Sequence, residues 1–195
     1  MALDQIRLRR FAELDYYDPI SFLKQLRVFE CELAASETPE PIMRLRTGTL
    51  KTERELRDAA LFCAGMSECI GQQVWMAAAE DQDHDFIASW TSSGARHFCP
   101  VQLKEVVPED LNADSSIEAV IDKLHRYSDS FDLTVAIKLG RNMRFDPSEL
   151  KVPDDLTIGE LWVFGAVESS QSAWALWGNF LAGPVSEGRV FSYPK

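Results

Sequence analysis

The stretch DHDFIASWTSSGARHFCPVQLKE, residues 83–105, decides the fold. Phe86-Ile87-Ala88-Ser89-Trp90 is an apolar, strand-forming run, Thr91-Ser92-Ser93-Gly94 supplies turn residues, and a second apolar run returns from His97 to Val107. A turn centred on Ser93-Gly94 sets residue 85 opposite residue 102. Opposed residues of an antiparallel pair share a face, as do strand residues two apart, so Asp85, Gln102 and Lys104 project together while Phe86, Val101 and Leu103 take the other face. A slip by one residue or a bulge sends Asp85 to the opposite side, and Asp83, paired near Lys104, is then the alternative carboxylate.

Working outward, Thr52-Glu53-Arg54-Glu55 has capping-box spacing, and ELRDAALFCAGMSECIGQQVWMAAAE reads as a helix through about Ala79. Leu56, Ala60, Cys63, Ile70 and Val74 fall on one stripe, with Leu61, Ala64, Glu68 and Trp75 on an adjoining face. Glu68 is therefore a carboxylate beside a core-facing stripe. Beyond the hairpin, a polar linker from Pro108 leads into SSIEAVIDKLHRYSD, a serine-capped helix with apolar spacing at Ile117, Val120, Ile121 and Leu124. Residues 131–139 and 160–167 read as strands, with shorter strands over 174–180 and 189–193. Asp18-Pro19-Ile20-Ser21 opens an amphipathic helix that the prolines of SETPEPI end. The expected organisation is one α/β domain over 1–195: a helical extension at 1–48, a core at 52–140, and additional strands and loops at 141–195.

The chain has 195 residues, 46% of them hydrophobic, the composition of an ordinary soluble globular protein. No segment approaches eighteen uninterrupted apolar residues, and MALDQIRLRRFAELD scatters charges where a signal peptide needs an apolar block, so the expectation is a cytoplasmic protein away from membranes. Four cysteines without a CxxC pair read as free thiols. The net charge of −11 is uneven, with ten Lys/Arg against eleven Asp/Glu in the first 60 residues and ten against twenty in the remainder. An acidic body disfavours broad, sequence-blind nucleic-acid binding, yet clustered carboxylates are what a cation site needs, and local Lys/Arg still reach phosphates.

The order of helix, hairpin, helix and strand, with Asp85 opposite Gln102-x-Lys104, resembles the PD-(D/E)xK nuclease superfamily over residues 52–140. The resemblance implies a restriction-endonuclease-like core with a mixed sheet flanked by helices. It implies that Asp85 is the metal-binding aspartate, that Gln102 stands where Asp or Glu is usual, and that Lys104 is the terminal lysine. It matches Glu68 to an acidic residue carried on the preceding helix, and Lys123 and Tyr127 to auxiliary substrate-binding positions. Arg141 and Arg144, in the loop after the 131–139 strand, are placed to reach a substrate. The implied cofactor is Mg²⁺ or Mn²⁺ on Asp85, Gln102 and Glu68, and the implied partner is DNA or RNA. Such a cation stabilises charge on phosphoryl oxygens and activates water, while a lysine orients water and neutralises developing charge. Gln102 offers an amide oxygen but no charge, which Glu68 or Glu105 would compensate.

Competing readings come from the same residues. Asp83, His84, Asp85, His97 and Cys99 form an alternative zinc or iron set, although His97 and Cys99 have the opposite strand parity to Gln102. Trp162, Trp174, Trp177, Phe180, Phe191 and Tyr193 serve core packing or a homodimer interface sooner than base stacking, and Arg7, Arg9 and Arg10 read as a solvated helix face. No P-loop, GxGxxG after a strand, GxSxG or HExxH is present. The rival function is a non-catalytic interaction module that keeps the nuclease-like fold.

Overall fold

The computed structural model describes residues 5–34, 51–79, 81, 83–140 and 143–194. Strand β2 (Phe86–Ser92) pairs antiparallel with β3 (Ala95–Val106), Phe86 opposite Val101 and Ser92 opposite Ala95. Ser93 and Gly94, at φ 52° and 77°, make the two-residue connection. Two successive positive φ values give the turn the twist that flanking strands require. The register is the one the turn residues imply, and it carries Asp85 to the level of Gln102.

Helix α3 (Lys51–Ile70) ends sooner than the sequence pattern suggests. Gly71, at φ 66°, donates its N–H to the Ser67 carbonyl at 2.9 Å, a left-handed terminus that glycine adopts without steric cost. The Ser67 hydroxyl then accepts from Val74 N at 3.0 Å, and Trp75–Ala78 becomes strand β1 along β2. Val74 and Trp75 therefore leave the helical stripes assigned to them. An apolar run of this length fits helix or strand, and the waiting edge of β2 decides.

Parallel pairing needs a crossover, which α4 (Ile117–Asp122) and a 3₁₀ turn (Lys123–Arg126) supply before β4 (Ser130–Leu139) lies parallel to β3. The Ser116 hydroxyl caps α4 by accepting from Ala119 N at 3.1 Å. Strand β5 (Ile158–Ala166) is parallel to β4, and β6 (Ala173–Trp177) and β7 (Arg189–Ser192) return antiparallel, giving a mixed seven-stranded sheet in sequential order.

Helices cover both faces. Phe62 of α3 meets Phe86 and Phe164 at ring-centroid distances of 6.2 and 6.1 Å, in a cluster with Val101, Ala136 and Trp174. On the opposite face Ile117, Ile121 and Leu124 pack against Val135, Ile137 and Val163. The Lys138 ammonium also lies under α3, 2.8 Å from both carboxylate oxygens of Asp58 and 3.7 Å from Glu105. Of the expected N-terminal extension, α1 (Gln5–Ala12) and α2 (Pro19–Ala34) are described, and residues 35–48 lie outside the described residues. Neither helix is a free appendage: Arg7 pairs with Asp132 at 2.7 Å, Leu23 is fully buried, and Tyr17 exchanges backbone hydrogen bonds with Met76 on the outer edge of β1. Among the described residues no helix is long and apolar enough to cross a membrane.

Candidate functional site

The hairpin register and the crossover meet at Gln102. Its side chain, 6% exposed, lies on the α4 face of β3, the face of Val106, while Val101 and Leu103 point to α3. Its amide Nε2 donates to Asp85 Oδ2 and, at 3.3 Å, to the Leu103 carbonyl. Its Oε1 accepts from the Tyr127 hydroxyl at 3.0 Å, and that hydroxyl accepts from Arg126 Nη2 at 2.7 Å. Asp85 Oδ2 also receives Leu103 N–H at 2.7 Å, so the carboxylate caps the strand where regular pairing stops. Both contacts fall on Oδ2, and Oδ1 accepts no hydrogen bond among the described residues. Lys104, half-buried, has no ion-pair partner among the described residues and stands 5.8 Å from the centroid of the Tyr127 ring.

Asp85 also lines a cavity of about 110 Å³ with Thr52, Glu55, Ala78 and Leu103. The topology explains this neighbourhood. β1 runs back along α3, so its last residue and the start of β2 return to the N-terminal turns of that helix. The helix carboxylate beside Asp85 is thus Glu55, itself 3.3 Å from Lys51. Glu68 is exposed in the last turn, about 20 Å further along the axis at roughly 1.5 Å per residue, and is not brought to Asp85. The apolar stripe points to Glu68, but the end of the helix, not its face, selects the acid that meets the strand. Glu55 and Arg126 lie outside the expected set; Thr52 stands inside α3, so the capping box expected of Thr52 and Glu55 does not begin the helix, and no local pattern marks either residue.

The remaining expected positions fall elsewhere. Tyr127 is 5% exposed with its hydroxyl turned inward, a support for Gln102 and not an open contact for substrate. Lys123 and Arg144 are exposed, and Arg141 lies outside the described residues. Glu105 faces α3 and approaches Lys138, away from the Gln102 face. His97 is exposed and stacks on Trp90, with centroids 5.3 Å apart. Cys99, on the α3 face, contacts the Thr134 hydroxyl at 3.0 Å, and burial pushes its thiol up to about 12. His84 is buried with its ring edge-on to Phe11, and burial holds its pKa below the usual imidazole value despite Asp81, Asp83 and Asp85 nearby. The zinc set therefore does not assemble: among the described residues no three His, Cys, Asp or Glu side chains converge as metal ligands. Trp174, Phe191 and Tyr193 are buried in the core.

Carboxylates and amide oxygens are the donors that hard divalent cations take. Asp85, with Oδ1 unengaged, and Glu55, across the same cavity, suit such a cation; Gln102 presents its NH₂ instead of its oxygen. Glu55 meets Asp85 from the α3 side with Leu103, whereas Gln102 and Lys104 lie on the α4 face of β3, so Asp85 stands at the strand end between the two groups. Comparison with protein-family models, curated proteins and solved structures finds no match to this chain.

Proposed function

We propose that this chain is a divalent-metal-dependent phosphodiester hydrolase acting on DNA or RNA, built on a restriction-endonuclease-like core. The observation that carries the reading is the meeting of Asp85 with Gln102 across β2 and β3, with Lys104 two residues on and Glu55 on the Asp85 cavity. Asp85 and Glu55 would hold Mg²⁺ or Mn²⁺. The cation, when bound, would lower the pKa of water and stabilise charge on phosphoryl oxygens. Lys104 orients the attacking water and neutralises charge developing on the phosphoryl group, a role left open by the lack of an ion-pair partner for it among the described residues. Lys123 and Arg144, both exposed, are candidates for phosphate contact together with Arg10, which lines a cavity of about 410 Å³ beside His84.

A second reading, the non-catalytic interaction module acting as a homodimer, is supported by the Gln102 amide seated on Asp85 and by the net charge of −11. The two separate in a cleavage assay on labelled single- and double-stranded DNA and RNA. Lys104→Ala is expected to lower kcat by about 10²-fold or more without changing the melting temperature. Glu55→Gln is expected to raise the Mg²⁺ concentration needed for half-maximal rate about tenfold, because it removes a charged ligand. Equal rates in wild type and Lys104→Ala would remove the catalytic reading.

A further inference from the structure

The cavity beside α1 is lined by a buried polar side chain that the fold leaves without a partner. His84 is 5% exposed, its ring stands edge-on to Phe11, and among the described residues neither ring nitrogen has a hydrogen-bond partner. Buried polar groups of folded proteins are hydrogen-bonded almost without exception, and a neutral imidazole carries one donor and one acceptor. Both nitrogens therefore call for an occupant of the cavity, whose volume of about 410 Å³ is that of a small-molecule site.

The rest of the lining says what that occupant is. Arg7 and Arg10, one turn apart on α1, bring guanidinium groups, but Arg7 is already paired with Asp132, and Glu13 and Asp81 add two carboxylates. Charges so balanced suit neither a lone anion nor a lone cation. Asp81 N–H donates to the His84 carbonyl at 2.9 Å, which ties the carboxylate-bearing residue to the imidazole in one turn, and Phe11 and Leu14 supply apolar wall. A carboxylate accepts from neighbouring ring and amino N–H groups, while an imidazole N–H donates to a ring carbonyl. A base taken out of its stack is read in this way, by its Watson–Crick edge between apolar side chains, and guanine offers two adjacent donor groups beside a carbonyl. We propose that this cavity takes one unstacked guanine of a single-stranded nucleic acid, its edge on His84 and Asp81 and its phosphate at Arg10. His84 precedes Asp85 in the chain, so the base stands beside the site of the reading above. The inference rests on the nucleic-acid partner of that reading and not on its cleavage chemistry.

The test titrates the full chain, without metal, with the 5′-monophosphates of guanosine, adenosine, cytidine and uridine and with inorganic phosphate, followed by calorimetry and by ¹⁵N NMR of the imidazoles. The companion variant is His84→Phe, which keeps a ring against Phe11 and removes both nitrogens. The guanosine nucleotide is expected to bind wild type about tenfold tighter than the others, to move the His84 nitrogens with the same midpoint as the heat, and to bind His84→Phe about tenfold more weakly. Should His84→Phe not fold, the wild-type nitrogens decide alone. Equal binding of all four nucleotides and inorganic phosphate overturns base recognition. Guanosine nucleotide bound with the His84 nitrogens unmoved overturns the placement, and no binding at all leaves water as the occupant and overturns the proposal. Selective guanosine nucleotide binding by a chain that cleaves nothing would support the cavity while removing the hydrolase reading.

Discussion

On the proposed reading Asp85 has two jobs that pull in different directions. Its Oδ2 completes the end of a strand by taking Leu103 N–H, and its Oδ1 accepts no hydrogen bond among the described residues. His84, the residue before it, makes a separate prediction. Its folded pKa lies below the usual 6.5, with burial the leading cause and Arg7 acting in the same direction. The unfolded chain therefore takes up the proton first as pH falls. The stability His84 contributes is complete above about pH 6.5 and declines as pH drops from there toward the folded pKa. Thermal melts between pH 7.5 and 5 are expected to show this decline in wild type and a flatter profile in His84→Gln; equal slopes would show that the imidazole carries none of it.

At the scale of elements, the hairpin was legible because its signal is local: turn residues at Ser93-Gly94 fix the register, and the register fixes which residues share a face. A Cβ at Gly94 would meet nothing within 4 Å, so only its backbone at φ 77° resists substitution. Gly94→Ala is expected to cost about 1 kcal/mol in denaturant unfolding and Gly94→Asn distinctly less, since asparagine tolerates the left-handed region. The end of α3 was not legible, because Val74 to Ala78 carries an apolar pattern that helix and strand both accept and only the edge of β2 resolves. Glu68 lies on α3 as expected, but the return of β1 carries Asp85 to the other end of that helix, which no local pattern shows. The buried contact between α3 and β4 was also hidden, since no local pattern pairs Asp58 with Lys138, eighty residues away. Both are under 10% exposed, so Lys138→Met, which removes the ammonium from the buried Asp58 carboxylate, is expected to cost about 3–5 kcal/mol, and adding Asp58→Leu to recover part of it. Additive losses in that double-mutant cycle would contradict the pairing.

At the scale of the whole molecule, the proposed reading sets an acidic body against a polyanionic substrate. Its charge of −11 was plain from composition, and the α/β class with a mixed sheet was expected, but the strand order, with β4 parallel to both β3 and β5, arises from long-range pairing that no single segment encodes. A site that must hold a cation among acids while admitting phosphate depends on that cation for local charge balance. The measurement that tests this most directly is titration of Mg²⁺ and Mn²⁺ into wild type and Asp85→Ala, following cleavage of labelled single- and double-stranded DNA and RNA. Cleavage that rises with metal in wild type and is lost in Asp85→Ala is the predicted result; no metal binding and no cleavage in either protein would contradict it.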